Sequence, residues 1–444
     1  MKIKTFLCAI SFPVAVASTA FAQPRGPEPT PTPVKLVITN TMPPAKAPTY
    51  TRPIPSETPA VVKRSDDVES GPANHAGTEA PIVVGGSAEA AGTRPRTVNT
   101  VSATSRVLSF GQIKNKIAEA KRQMQNRPIA TAMSDGVAPT EFVRVSFHDW
   151  KTNQIDYVVL TKESFLSSKD IKQVTSQNGR NLFVRTIRGN GVNTPVVFTD
   201  DNGAVHLPLL VQYPVVRDGK YVETAYYMST HPGLVTPEVV NAGKYYVHNV
   251  IEIARERLRE KGITIQPKIA DIAERLATVE HVDHQRFRNE YHPNIYNDIF
   301  TLFALNEGQT YRYSVSSAGA GGMVQMIPST YRMVRSWHPN VGLMPDFVEG
   351  MRNHTNAAQA MLLYMQRTWN DLVASPTVAD AFHSGIATQE QLMAAGYNSN
   401  PARLAGYINR AGSGWTNLIP RETKIYLQIY ESLEKNVPMK ARTR

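Results

Sequence analysis

The apolar pattern of the chain changes from strand to helical period between Met228 and Pro237. Before that point the runs "EFVRVSF", "IDYVVLT", "NLFVRTI", "PVVF", "VHLPLLVQYPVV" and "YVETAYYM" are rich in β-branched and aromatic residues. Turn signals separate them, "DDNG" at 200–203 and "RDGK" at 217–220. This is the pattern of strands. After that point "PEVVNAGKYYVHNVIEIARERLREKG" repeats its apolar residues every three or four positions and closes on Gly262, which predicts an amphipathic helix. "PKIADIAERLATVEHVDHQRF" predicts a second. One helix precedes the strands: "FGQIKNKIAEAKRQMQ" puts Ile113, Ile117 and Ala120 on one face. The expectation is a multidomain α+β chain, with a β-rich module over 106–235, a helical connector over 236–290 and an all-α domain over 291–436.

The first 105 residues read differently. Lys2 and Lys4, the apolar "FLCAISFPVAVA" and the small-residue "AFA" at 20–22 have the form of a signal peptide over 1–22. The apolar run is too short to span a bilayer comfortably, so no stable membrane span is expected after cleavage. Residues 23–105 are rich in Pro and Thr, as in "PRGPEPTPTP", without a useful period, and predict a disordered linker. Cys8 is the one cysteine, so the chain beyond the signal holds neither a disulfide nor a thiolate metal site. The net charge of +11 predicts an anionic partner or surface. Neither an arginine-rich helix nor basic–aromatic alternation accompanies it, which argues against nucleic acid. A secreted protein of the periplasm or cell envelope fits these features, with the β-rich module available to an envelope protein partner.

Chemistry is concentrated in "NEGQTYRYSVSSAGAGGMVQMIP" at 306–328. Glu307 follows the apolar run "NIYNDIFTLFALN". A carboxyl held against apolar side chains at a helix C-terminus has a raised pKa, which suits a general acid. Gly319, Gly321 and Gly322 clear side chains from a surface that a flat polar polymer can approach, and Gln325 can donate and accept hydrogen bonds there. His281 and His284, beside Glu280 and Asp283, lack a defined third ligand and read as a solvated or capping polar patch. No metal or other cofactor is predicted.

The same stretch resembles the soluble lytic transglycosylases, a peptidoglycan-cleaving family with a lysozyme-like fold. Their first motif is a Glu followed by a Ser-x-x-Gly-Ala-x-Gly-Leu-x-Gln-like segment. Here Glu307, Ser316, Gly319, Ala320, Gly322, Met323, Gln325 and Pro328 stand at matching spacings. "GYNSNP" at 396–401 resembles the second motif and "ETKIY" at 422–426 the third, in the same order. Gly308 replaces the Ser that usually follows the Glu, Ile327 a common Met, and Ser399-Asn400 an Ala-Gly pair. The resemblance covers about a third of the chain and excludes the β-rich module. It implies a lysozyme-like 291–436 domain with Glu307 as general acid and base. It implies substrate contacts from Ser316, Gly319, Gln325, Tyr397, Asn398, Glu422 and Tyr426. The substrate would be peptidoglycan glycan strands, cut at the N-acetylmuramic acid–N-acetylglucosamine β-1,4 bond to leave 1,6-anhydromuramic ends. A lysozyme-like muramidase and a non-catalytic glycan-binding or scaffold protein are the alternatives.

Overall fold

The computed structural model describes residues 107–127, 139–217, 219–306 and 318–443. Over these the chain is α+β, an antiparallel sheet preceded by one long helix and followed by helices. Helix α1 (Phe110–Asn126) starts on a capping box: the Ser109 hydroxyl accepts from the Gln112 amide, and the Gln112 side chain accepts from the Ser109 amide. It buries Ile113, Ile117 and Ala120, as its spacing predicts, and Met124 one turn further on.

The strands are β1 (Phe142–Asp149), β2 (Gln154–Thr161), β3 (Ile171–Thr175), β4 (Asn181–Thr186), β5 (Val196–Asp200), β6 (Val205–Arg217) and β7 (Lys220–Met228). A short helix, α2 (Lys162–Leu166), lies between β2 and β3. The sheet order is β2–β1–β6–β5–β4–β3, and β7 adds to β6. Strand β6 is the spine: β5 pairs with its first two residues, β1 with residues between 207 and 212, and β7 with 210–217. The sequence pattern marks every strand but β3. That strand lies at the edge of the sheet and has no fully buried residue, so no apolar face betrays it.

Eleven helices follow among the described residues. They are α3 (Pro237–Arg259), α4 (Pro267–Val279), α5 (His284–Asn289), α6 (His292–Leu305), α7 (Pro328–Trp337) and α8 (Phe347–Arg352), then α9 (His354–Val373), α10 (Pro376–His383), α11 (Gln389–Asn398), α12 (Leu404–Ala411) and α13 (Arg421–Asn436). The single helix expected over "PKIADIAERLATVEHVDHQRF" is corrected: it is two helices, α4 and α5, with a four-residue turn between them. The cause is local. The Asp283 carboxylate accepts from the Gln285 and Arg286 amides at 2.8 and 2.9 Å and so starts a new helix. The break takes Glu280 out of the helix.

The sheet and the helices share apolar surface. Leu207, Leu209, Leu210 and Met228 lie in one cluster with α1, with Val239 of α3 and with Ala304 and Leu305 of α6. Near the end of the chain the Arg442 guanidinium binds Asp271 at 2.8 Å and Glu274 at 2.6 Å, tying the last residues to α4. Among the described residues no helix is long and apolar enough to cross a membrane.

Candidate active site

Five segments converge on a cavity of about 420 Å³, one of them α9 through Tyr364. In the first, the turn after α4 contributes Glu280, and the start of α5 contributes His284. The glycine-rich segment contributes Ala318, Ala320 and Gln325, α11 contributes Tyr397 and Asn398, and α13 contributes Glu422 and Tyr426.

The glycine-rich wall is a tight reversal. The Gly321 amide donates to the Met326 carbonyl at 3.3 Å, and the two residues form an isolated bridge. Gly322 sits at φ 73°, and a Cβ there would stand 2.5 Å from the Met351 carbonyl oxygen. Only glycine meets both conditions. Gln325 also lies in the left-handed region, at φ 48°, and its side-chain amide donates to the Gly322 carbonyl at 2.8 Å. Met323 and Val324, between them, are fully buried and anchor the reversal in the core.

Two side chains hold this wall from either side. His281 Nε2 donates to the Met323 carbonyl at 2.9 Å. A carbonyl can only accept, so that nitrogen carries the proton. Burial pushes the His281 pKa down to about 4, which keeps the ring neutral. From the other side the Tyr397 hydroxyl donates to the Val324 carbonyl at 2.7 Å. Asn398 accepts from Thr423 Oγ1 at 2.9 Å and thereby joins α11 to the start of α13.

Glu280 is the acid of this cavity. The Tyr426 hydroxyl donates to its Oε1 at 2.6 Å. Desolvation by the surrounding protein drives the Glu280 pKa up to about 8, although the side chain keeps an opening toward the cavity. The Tyr426 hydrogen bond opposes the rise, and the nearby Glu422 charge adds to it. At neutral pH Glu280 therefore carries its proton and can donate it. Glu422 itself is exposed at the first turn of α13.

Of the residues expected from the sequence, Gln325, Tyr397, Asn398, Glu422 and Tyr426 come together here. Gly319, at φ 76°, lies between two lining residues without lining the cavity itself. Glu307 and Ser316 fall outside the described residues. Sequence reasoning missed Glu280 as an acid and grouped it with a polar patch. For Asp283 the capping reading holds. The signal for Glu280 was the one used for Glu307, a carboxylate directly after an amphipathic apolar run, here "IADIAERLATV".

No family model, curated protein or solved structure matches this chain.

Proposed function

We propose that the chain is a peptidoglycan lytic transglycosylase of the cell envelope, that its helical part is lysozyme-like, and that Glu280 is its general acid and base. One observation carries the reading: segments resembling all three motifs of that family line a single cavity around a carboxyl held protonated at neutral pH. Glu280 donates its proton to the glycosidic oxygen as the bond from that oxygen to the muramoyl anomeric carbon breaks, and the N-acetylglucosamine side leaves as the alcohol. As the carboxylate it then withdraws a proton from the muramoyl 6-hydroxyl, which closes the anhydro ring. Tyr426 holds the carboxyl in place through both stages. The reversal from Gly319 to Gln325 forms one wall for the sugars.

One observation favours hydrolysis instead. Glu422 is a second carboxylate in the same cavity, and a pair of carboxylates suits a reaction in which one of them activates water. Muropeptide mass spectrometry after digestion in oxygen-18 water separates the two. Anhydro ends without label support the transglycosylase, and label at the muramoyl anomeric carbon makes the enzyme a muramidase. Glu280→Gln should lower cleavage by roughly 10²–10⁴-fold with the fold retained. Full activity in that variant, with loss in Glu307→Gln, would return the acid's role to Glu307.

A further inference from the structure

We propose that Arg188, on the loop after β4, is a positioning residue for Glu280: through Asp283 it fixes the turn that presents the acid to the cavity, and so makes the β-rich half a working part of the site. This rests on the assignment of Glu280 made above. Arg188 Nη1 stands 3.2 Å from Asp283 Oδ2. The other oxygen of that carboxylate, Oδ1, accepts the two amides that start α5. One side chain thus joins the sheet's loop to the turn. Only His281 and Val282 separate Asp283 from Glu280, and both are buried. A displacement at Asp283 therefore has little slack to absorb it before it reaches the acid.

The anchor is itself rigid. The Ile187 amide donates to the Pro195 carbonyl at 2.9 Å, and the Asn190 amide to Thr194 Oγ1 at 2.8 Å. Between them, a Cβ on Gly189 would stand 2.4 Å from the Leu166 carbonyl oxygen, so the loop backbone lies directly against the end of α2. The neighbouring cation on α5, Arg286, is committed to Glu290 and Asp298, each at 2.7 Å. The sheet holds the helices at two further points. The Met228 amide donates to Asn306 Oδ1 at 2.8 Å. Glu223 pairs at 2.5 Å with Arg352, the neighbour of the Met351 carbonyl against which Gly322 packs.

Without Arg188 the Asp283 charge loses its cation and the turn relaxes, which lets solvent reach Glu280. The titratable groups that line the cavity with Glu280 are Glu422 and Tyr426 on α13, Tyr397 on α11, Tyr364 on α9 and His284 at the start of α5. Of the neighbouring charges, Glu422 is the one that acts on Glu280. Loss of a cation by itself would raise the Glu280 midpoint, so a fall on removing Arg188 reports geometry and not lost charge.

The test uses the full chain with carbon-13-labelled glutamate, the Glu280 resonance being identified by its loss in Glu280→Gln. In Arg188→Ala the carboxyl midpoint should fall toward the ordinary carboxylate range, kcat on peptidoglycan should drop about tenfold, and KM should stay within about twofold. Arg188→Lys, which keeps a cation within reach of the single contact, should recover most of both. A folded Arg188→Ala with unmoved midpoint and wild-type kcat overturns the proposal. Should Arg188→Ala not fold, Asp283→Asn decides, because its amide oxygen can still cap α5 while the charge pair is gone; unchanged titration and kcat there overturn the proposal equally. If the wild-type chain cleaves no peptidoglycan, the functional reading fails, and the Glu280 titration still tests the coupling.

Discussion

Tyr426 packs in the core and hydrogen-bonds at the cavity at once. Its ring is 3% exposed, in the core formed by the helices, while its hydroxyl reaches Glu280. Sequence alone does not separate the two roles, because a Tyr on the inner face of an amphipathic helix satisfies either. The hydrogen bond favours the charged form of Glu280, so Tyr426→Phe should raise the Glu280 pKa further and carry the alkaline limb of activity to higher pH. A pH–rate profile whose limb stays put would separate Glu280 from that limb. Glu280 also leaves a mark on stability. Its folded pKa, about 8, is above its unfolded value. Below the unfolded pKa both states hold the proton and there is no penalty. As pH rises from there to about 8 the unfolded state releases the proton and the folded state does not, so stability falls by up to about 1.4 kcal/mol per pH unit. Above that window the loss levels off. Glu280→Gln should remove this slope, so its advantage in urea unfolding should be larger at pH 8 than at pH 5. Parallel stability curves would show that Glu280 titrates normally.

Among the elements, the two that build the site differ in how far the sequence exposes them. The glycine-rich reversal is legible because its glycines and its spacing to Gln325 are chemical necessities. The turn after α4 is not, because its apolar repeat runs on as if a helix continued and the interruption comes from one side chain, Asp283, capping from within the run. Periodicity senses burial, and the residues on both sides of the turn are buried. The reversal also supplies an internal comparison. Gly322→Ala puts a left-handed residue's Cβ against the Met351 backbone, whereas at Gly319 the nearest atoms, on Pro328, lie 3.9 Å away. The first change should cost roughly 3 kcal/mol or more and most of the activity, and the second about 1 kcal/mol. Denaturant melts of the two variants check the order. Equal losses would mean that the Met351 carbonyl yields readily.

For the whole molecule, the change of period near Pro237 places the boundary between strands and helices well but says nothing about whether that boundary is a seam. The apolar cluster joining Leu207, Leu209 and Met228 to Val239, Ala304 and Leu305 crosses it, and so do the ion pairs Arg188–Asp283 and Glu223–Arg352. Contacts between residues so far apart in sequence leave no trace in a local pattern. A chain beginning at residue 236 keeps every motif residue yet uncovers this apolar surface. It should be self-associating in gel filtration and lack a cooperative thermal transition. A monomeric fragment that melts cooperatively and cuts peptidoglycan at the wild-type rate would make the β-rich half dispensable.

The central place of β6 bears on how the protein is made. Until residues 205–217 have left the ribosome, the ladder of β1 with β2 and the ladder of β3, β4 and β5 lack the strand that pairs with both, because β6 lies between them. Both pieces then offer unpaired strand edges to neighbouring chains. The pairing of Arg144 with Gln212 closes a long stretch of chain in one step, an entropic cost incurred before its contacts repay it. Synthesis pausing just before β6 would prolong the interval in which nascent chains can join edge to edge, whereas a pause after β7 falls when the sheet can already have closed.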